Sequence, residues 1–315
     1  MRFFRRLALV STGATILLIA IGGLVRATKS GLGCGTDWPH CAGRLVPALE
    51  TRAELIEFSH RAAASIVVVL LGALAVTAIR NRRTHPRFVV PAIGAFGLVM
   101  FQAILGAIVV KLELEAESVV LHLGTALALL ALLVYIVTLA FAAEHHLSEP
   151  VDADTSRWAR RAAGAVFVLL LVGSYVSGYE GAGRAFSDWP LMNGRLIPDL
   201  SIEEKAIHFL HRGLAALVGA IVLVTALRVI KRKAELPGSA KLAQAAVGLF
   251  AIEVLIGAAN VWTDLNSIFV TLHLLLGALI WTSLVSVSAL TAPGLRARAG
   301  DQRAAEPTIP LRQGA

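Results

Sequence analysis

The chain has 315 residues, of which 57% are hydrophobic and 16% charged, with a formal net charge of +8. Runs of about 20 apolar residues, enough to cross a bilayer, recur along it and exclude a soluble globular domain. An open sheet cannot satisfy its backbone in lipid and no short alternating barrel pattern is present, so the expected fold is an all-α integral membrane protein. The positive charge sits at the borders of the apolar runs, which makes it a topology signal and argues against nucleic-acid binding.

In chain order, eight transmembrane helices are expected at 7–26, 55–79, 88–110, 118–142, 159–178, 206–230, 242–262 and 268–290. The basic start, Arg2, Arg5 and Arg6 before an apolar run, has the look of a signal peptide. The run is long for one and its pattern returns at 157–178, so a retained first helix is expected. No transit peptide precedes it, which favours a bacterial plasma membrane. Clusters such as Arg80, Arg82, Arg83 and Arg87, or Lys231, Arg232 and Lys233, place both termini in the cytoplasm. The short outer connections agree: 111–117 holds one Lys against three Glu, and 263–267 holds no Lys or Arg.

The first outer loop, 27–54, holds the only two cysteines, Cys34 and Cys41. Outside the cytoplasm a disulfide is the default, and a redox-active pair is the sharper alternative. The second span carries Glu57, His60 and Arg61; the third carries Gln102; the fourth carries His122. A polar, acidic stretch near 143–157, with His145, His146 and Pro150, reads as a cytoplasmic linker. The second outer loop, 179–205, repeats Trp-Pro and Gly-Arg-Leu-Ile-Pro. The sixth span carries His208, His211 and Arg212, the seventh Glu253 and the eighth His273. After Pro293 the chain turns rich in Arg, Ala, Gly and Pro, and disorder is expected.

The chain is written twice. Adding 151 to His60 gives His211, and adding it to His122 gives His273; Asp37-Trp38-Pro39 maps onto Asp188-Trp189-Pro190 in the same way. The expected organisation is an N-terminal half at 1–150, a C-terminal half at 151–293 and a tail at 294–315. Each half crosses the membrane four times, so the halves are parallel repeats and each is expected to be a four-helix bundle.

His60 and His122 lie at similar depth near the outer face, as do His211 and His273. Two imidazoles facing across a bundle are a usual way to hold a haem iron from both sides. A lone histidine is ordinarily a hydrogen-bonded core residue, but two pairs at a fixed offset are poorly explained that way. Zinc usually takes three or four ligands, more than either pair offers. Small residues on the histidine helices (Ala62, Ala63, Ala64, Gly124, Gly213, Gly277) leave room for a flat macrocycle or serve helix packing. Arg61 and Arg212 follow the histidines directly, either pairing with haem propionates or snorkelling to the surface; Arg26, Arg44 and Arg195 are weaker candidates. The copies differ where chemistry would differ. Glu57 corresponds to His208, and is either a proton acceptor or a border ion pair. Glu253 corresponds to Gln102 and must find a partner or be protonated.

Several segments, Gly23-Leu-Val-Arg-Ala-Thr, Ser30-Gly-Leu-Gly-Cys34, Asp37-Trp-Pro-His-Cys41, Glu57-Phe-Ser-His60-Arg61, Gln102-Ala-Ile-Leu-Gly and Leu121-His122-Leu-Gly, resemble the haem A synthase family in order and over nearly the whole chain. The resemblance implies an oxidoreductase that oxidises a ring methyl of haem O to a formyl group, supplying terminal oxidases. It implies haem b held by His211 and His273, substrate haem O held by His60 and His122, catalytic Glu57, and a first-loop disulfide between Cys34 and Cys41. Haem O synthase, a membrane electron donor and a homo-oligomer are the expected partners. Many members carry a second cysteine pair; here those positions are Ala185 and Met192. The rival reading from the residues is a di-haem, cytochrome b-like electron carrier, against which the Glu57/His208 asymmetry argues. A parallel-repeat transporter, the third reading, would hold no haem.

Overall fold

The computed structural model describes residues 1–143 and 149–293; the expected linker histidines His145 and His146 and the expected tail lie outside them. Among the described residues the structure is helical, with eight long helices: α1 Arg2–Ala27, α2 Arg52–Arg80, α3 Val89–Lys111, α4 Ala116–Ala143, α5 Ala153–Gly178, α6 Glu203–Lys231, α7 Pro237–Trp262 and α8 Ser267–Thr291. All eight are long and apolar enough to cross a membrane, so the chain is a multi-pass membrane protein. In that setting a helix satisfies every backbone group within its own segment.

The helices outrun the apolar stretches. α1 and α5 begin five or six residues earlier than hydropathy indicates, because polar residues, Arg2, Arg5 and Arg6 in one and Asp154 to Arg157 in the other, continue the helix beyond the apolar stretch. Local signals fix the starts. Thr51 Oγ1 accepts from the Glu54 N–H at 3.1 Å and caps α2. Asp152 accepts from the N–H groups of Asp154 and Thr155 at the head of α5. Asn266 caps α8 through the Ile268 N–H at 3.0 Å, and Pro237 opens α7 where a missing N–H costs nothing.

α2 packs on α1 and α3, and α4 packs on α3 and α1; α6 packs on α5 and α7, and α8 packs on α7 and α5. Further contacts, α1 on α8 and α4 on both α5 and α8, join the first four helices to the last four. One buried cluster gathers Val67, Leu71, Leu74, Phe88, Val99, Leu133 and Ile136; another gathers Leu127, Leu130, Val166, Val222, Ile280 and Trp281. Val69, Val90, Ile104, Leu217 and Leu255 point outward instead, as a lipid-facing surface requires. The starts of α5, α6 and α8 follow those of α1, α2 and α4 by 151 residues.

Polar clamps close both ends. Arg26 Nη2 donates to the carbonyls of Ser177 (3.1 Å) and Gly178 (3.2 Å), the unsatisfied C-terminus of α5. At the opposite end Glu149 accepts from the N–H groups of Gly238 and Ser239 at the head of α7, and Arg232 pairs with Asp152.

Candidate functional site

His60 and His211 occupy the same place in α2 and α6, about 12 Å along from the helix start; His122 and His273 lie about 9 Å into α4 and α8. All four rings are partly buried. The Nδ1 atoms of all four, His60, His122, His211 and His273, are buried without a hydrogen-bonding partner. The rings of His211 and His273 have centres 6.3 Å apart and planes 76° apart. An imidazole nitrogen lies about 1.1 Å from its ring centre and metal–imidazole bonds are about 2.0 Å. Two rings holding one ion from opposite sides therefore have centres roughly 6.2 Å apart. The spacing of the two rings matches that of a bis-histidine iron.

Each ring lies edge-on against a glycine of the preceding helix. A Cβ on Gly22 would stand 3.2 Å from His60 Cε1, one on Gly106 3.4 Å from His122, one on Gly173 3.1 Å from His211, and one on Gly257 3.2 Å from His273. Any side chain there would push the ring. These four glycines were not singled out from the sequence, although Gly106 and Gly257 lie in a segment that repeats and Gly22 and Gly173 share the 151-residue offset. Two glycines read from the sequence as room for a macrocycle face elsewhere: Gly124 meets Phe167 and Leu171, and Gly277 meets Leu170 and Glu253. A Cβ on Gly213 would meet nothing within 4 Å.

Above the rings, each outer loop is bound to its helix by one arginine. Arg61 Nη1 donates to the carbonyls of Asp37 (3.3 Å) and His40 (2.9 Å). Arg212 Nη1 donates to the carbonyls of Asp188 (3.1 Å) and Leu191 (3.0 Å), the matching pair. The companions differ. Arg61 Nε and Nη2 donate to Glu57 Oε1 at 3.1 and 2.6 Å, and Glu57 Oε2 accepts from the Cys34 N–H at 2.7 Å. Glu57 is 3% exposed. The border ion pair thus exists, and its acid also grips the loop closed by the Cys34–Cys41 disulfide. In the other half Arg212 Nε donates to His208 Nε2 at 3.1 Å. His208 Nδ1 lies 2.8 Å from the Ala182 carbonyl, which can only accept, so this imidazole is neutral with its proton on Nδ1.

Each of the three Arg61 nitrogens donates to protein, while Arg212 keeps Nη2 buried with no acceptor. Arg26 is committed to the α5 terminus, and Arg44 and Arg195 are exposed at the loop turns. The second loop has Ala185 and Met192 where the first has cysteines, and uses another staple. Asp188 accepts from the N–H groups of Asn193 (2.5 Å) and Gly194 (2.8 Å), both at positive φ. The Gly194 N–H above all holds the Asp188 carboxyl below its usual pKa range.

Glu253, lacking an obvious partner in the sequence, reaches across from α7 to α8. Its Oε1 lies 3.1 Å from His273 Nδ1, at ion-pair distance though off the hydrogen-bonding direction. Gln102, its counterpart, instead donates to the His122 backbone carbonyl at 2.9 Å and accepts from Thr125 Oγ1 at 3.1 Å.

The cytochrome oxidase assembly protein family, COX15-CtaA, matches residues 5–285. A heme A synthase of Symbiobacterium thermophilum is 32% identical over 303 residues, 93% of this chain and 97% of that one. Heme A synthases of Halalkalibacterium halodurans and Shouchella clausii are 35% and 30% identical, covering 70% and 72% of this chain and 73% and 76% of their own lengths. The chain belongs to the COX15-CtaA family of cytochrome oxidase assembly proteins.

Proposed function

We propose that this protein is a haem A synthase, an oxidoreductase that converts the ring methyl of haem O to the formyl group of haem A. The observation that carries the reading is the His211–His273 pair, whose ring centres are 6.3 Å apart, in a chain whose relatives are heme A synthases. The relatives do not favour the di-haem carrier. The packing order of the helices supports two tandem four-helix halves, 1–150 and 151–293, related as parallel repeats; the basic residues at the span borders support cytoplasmic termini, and the bacterial relatives support a bacterial cell membrane.

In this reading His211 and His273 hold haem b, and the unpaired Nη2 of Arg212 takes a propionate. The resident haem, when bound, supplies one-electron redox chemistry. His60 and His122 hold the substrate haem O. Glu57 sits one turn from His60 and works from the substrate side. Its carboxylate spends three acceptor positions on Arg61 and Cys34, leaving one of about four for a proton. The disulfide-closed loop and Arg61 fix that carboxylate and shut the outer mouth against water. The second loop does the same through Asp188 and Arg212. Haem O synthase and a membrane electron donor complete the system as partners, with self-association into a homo-oligomer.

The test is the visible spectrum and extracted-haem chromatogram of the purified protein. Low-spin haem B that disappears in His273→Ala supports the assignment. A wild-type protein without haem, or a His273→Ala protein with normal haem B, overturns it.

A further inference from the structure

We infer that Glu253 is a positioning residue for His273, its carboxylate set 3.1 Å from the ring's Nδ1 to take that N–H when Nε2 holds iron, and that it lowers the reduction potential of the iron that His273 carries. This rests on the assignment of His273 as a ligand of the resident haem.

Three substitutions between the halves act together. Gln102 becomes Glu253, which replaces an amide by a carboxylate. Thr125, whose hydroxyl holds the Gln102 carbonyl oxygen at 3.1 Å, becomes Leu276, so no hydroxyl restrains the Glu253 carboxylate. Ala126 becomes Gly277, where a Cβ would stand 2.6 Å from Leu170 Cδ2 and, at 3.4 Å, in ordinary contact with Glu253 Oε1. The first change supplies an acceptor, the second releases it, and the third lets Leu170 of α5 pack closely on α8 beside it. The released oxygen then lies 3.1 Å from His273 Nδ1. The Glu253 side chain is only 14% exposed, and its other oxygen is buried without a partner. A carboxylate in a membrane helix is costly and is kept where it has a task.

Its task follows from the chemistry of imidazole. A ligand histidine that gives its second ring N–H to a carboxylate is fixed in tautomer and orientation, with Nε2 left for the metal, and becomes more basic. A more basic ligand favours ferric over ferrous iron. The Nδ1 atoms of all four rings are buried without a hydrogen bond, and among the described residues it is the carboxylate contact at 3.1 Å that singles out His273. The device therefore marks one ring of four and makes the two haem sites electronically unequal.

The experiment compares wild type, Glu253→Gln, Glu253→Asp and His273→Ala in the full-length, haem-loaded protein. The readouts are haem B content, the midpoint potential by redox titration, and the low-spin electron paramagnetic resonance spectrum. Glu253→Gln should keep haem B and favour ferrous iron at least tenfold more, read as an upward shift of about 59 mV. Its resonance positions should also move. An unchanged potential and spectrum overturn the inference. If Glu253→Gln loses its haem, Glu253→Asp decides: recovery of haem supports the inference, and continued loss overturns it. Retention of haem B by His273→Ala instead defeats the ligand assignment, and the inference falls with it.

Discussion

Gly173→Ala is expected to expel the resident haem without harming the helix that carries the change. The added Cβ falls 3.1 Å from His211 Cε1 and 3.6 Å from Nδ1. Relaxed carbon contacts lie at about 3.5–4.0 Å, so the ring or α5 must retreat by roughly 0.4–0.9 Å. Metal sites hold ligand distances to about 0.2 Å, so the displacement is at least about twice what ligation tolerates. The ring has little room to yield, because α5 and α6 are locked by Ala162, Val166, Val218 and Val222, and close-packed interiors transmit strain. Disturbed ligand orientation typically weakens metal sites about 10–100-fold. Alanine itself favours an exposed helix position over glycine by about 1 kcal/mol, so unfolding of α5 is not the expected cause. Gly164→Ala on the same helix, where a Cβ meets nothing within 4 Å, is the control. The assay is haem B retained per polypeptide after competition with excess apomyoglobin. Gly164→Ala should match wild type and Gly173→Ala should lose most of its haem. Equal retention by all three would refute the argument that the glycine sets the ring.

Glu57→Gln should yield a folded protein with normal haem B whose haem A output falls by about 10²–10⁴-fold, the range of a lost general base; near-normal output leaves Glu57 a loop-holding ion pair only. Glu57→Ala should also free the first loop, since removing one partner of a buried pair costs about 3–5 kcal/mol, and faster proteolysis within 34–50 would report it. Thiol labelling of unreduced, denatured protein should find neither Cys34 nor Cys41, as their disulfide requires; stoichiometric labelling contradicts it. Asp188 has a lowered pKa in the folded loop, so its contribution is present above the ordinary carboxylate value of about 3.9 and is lost as pH falls through the depressed one. Protease resistance of the second loop should hold at neutral pH, weaken below about pH 4, fail as pH falls through the depressed value, and be weak at every pH in Asp188→Asn.

The eight helices were legible because the bilayer imposes a length and a composition, and the four histidines because an offset of 151 recurs without interruption. Helix starts were less legible: hydropathy counts apolar residues, while Arg2, Arg5 and Arg6 in α1 and Asp154, Thr155, Ser156 and Arg157 in α5 extend their helices past the apolar stretch. Contacts between helices were not legible at all. Gly173 is an ordinary packing glycine until His211 is found against it. Glu253 has no partner until α7 and α8 are placed side by side. Arg61 stood open between a propionate and the surface, and its actual partners, Glu57 and the carbonyls of Asp37 and His40, depend on a loop folding back over its own helix. The second staple was hidden for the same reason, since Asp188 reaches forward to a turn whose backbone at Asn193 and Gly194 is left-handed.

The most direct test is the haem profile of cells that make haem O but no haem A, with and without this chain. Expression of the wild type should convert haem O to haem A, while His122→Ala should leave haem O unconverted and the resident haem B in place. Haem O persisting with the wild-type chain, despite a full complement of haem B in the purified protein, would contradict the account and leave an electron carrier.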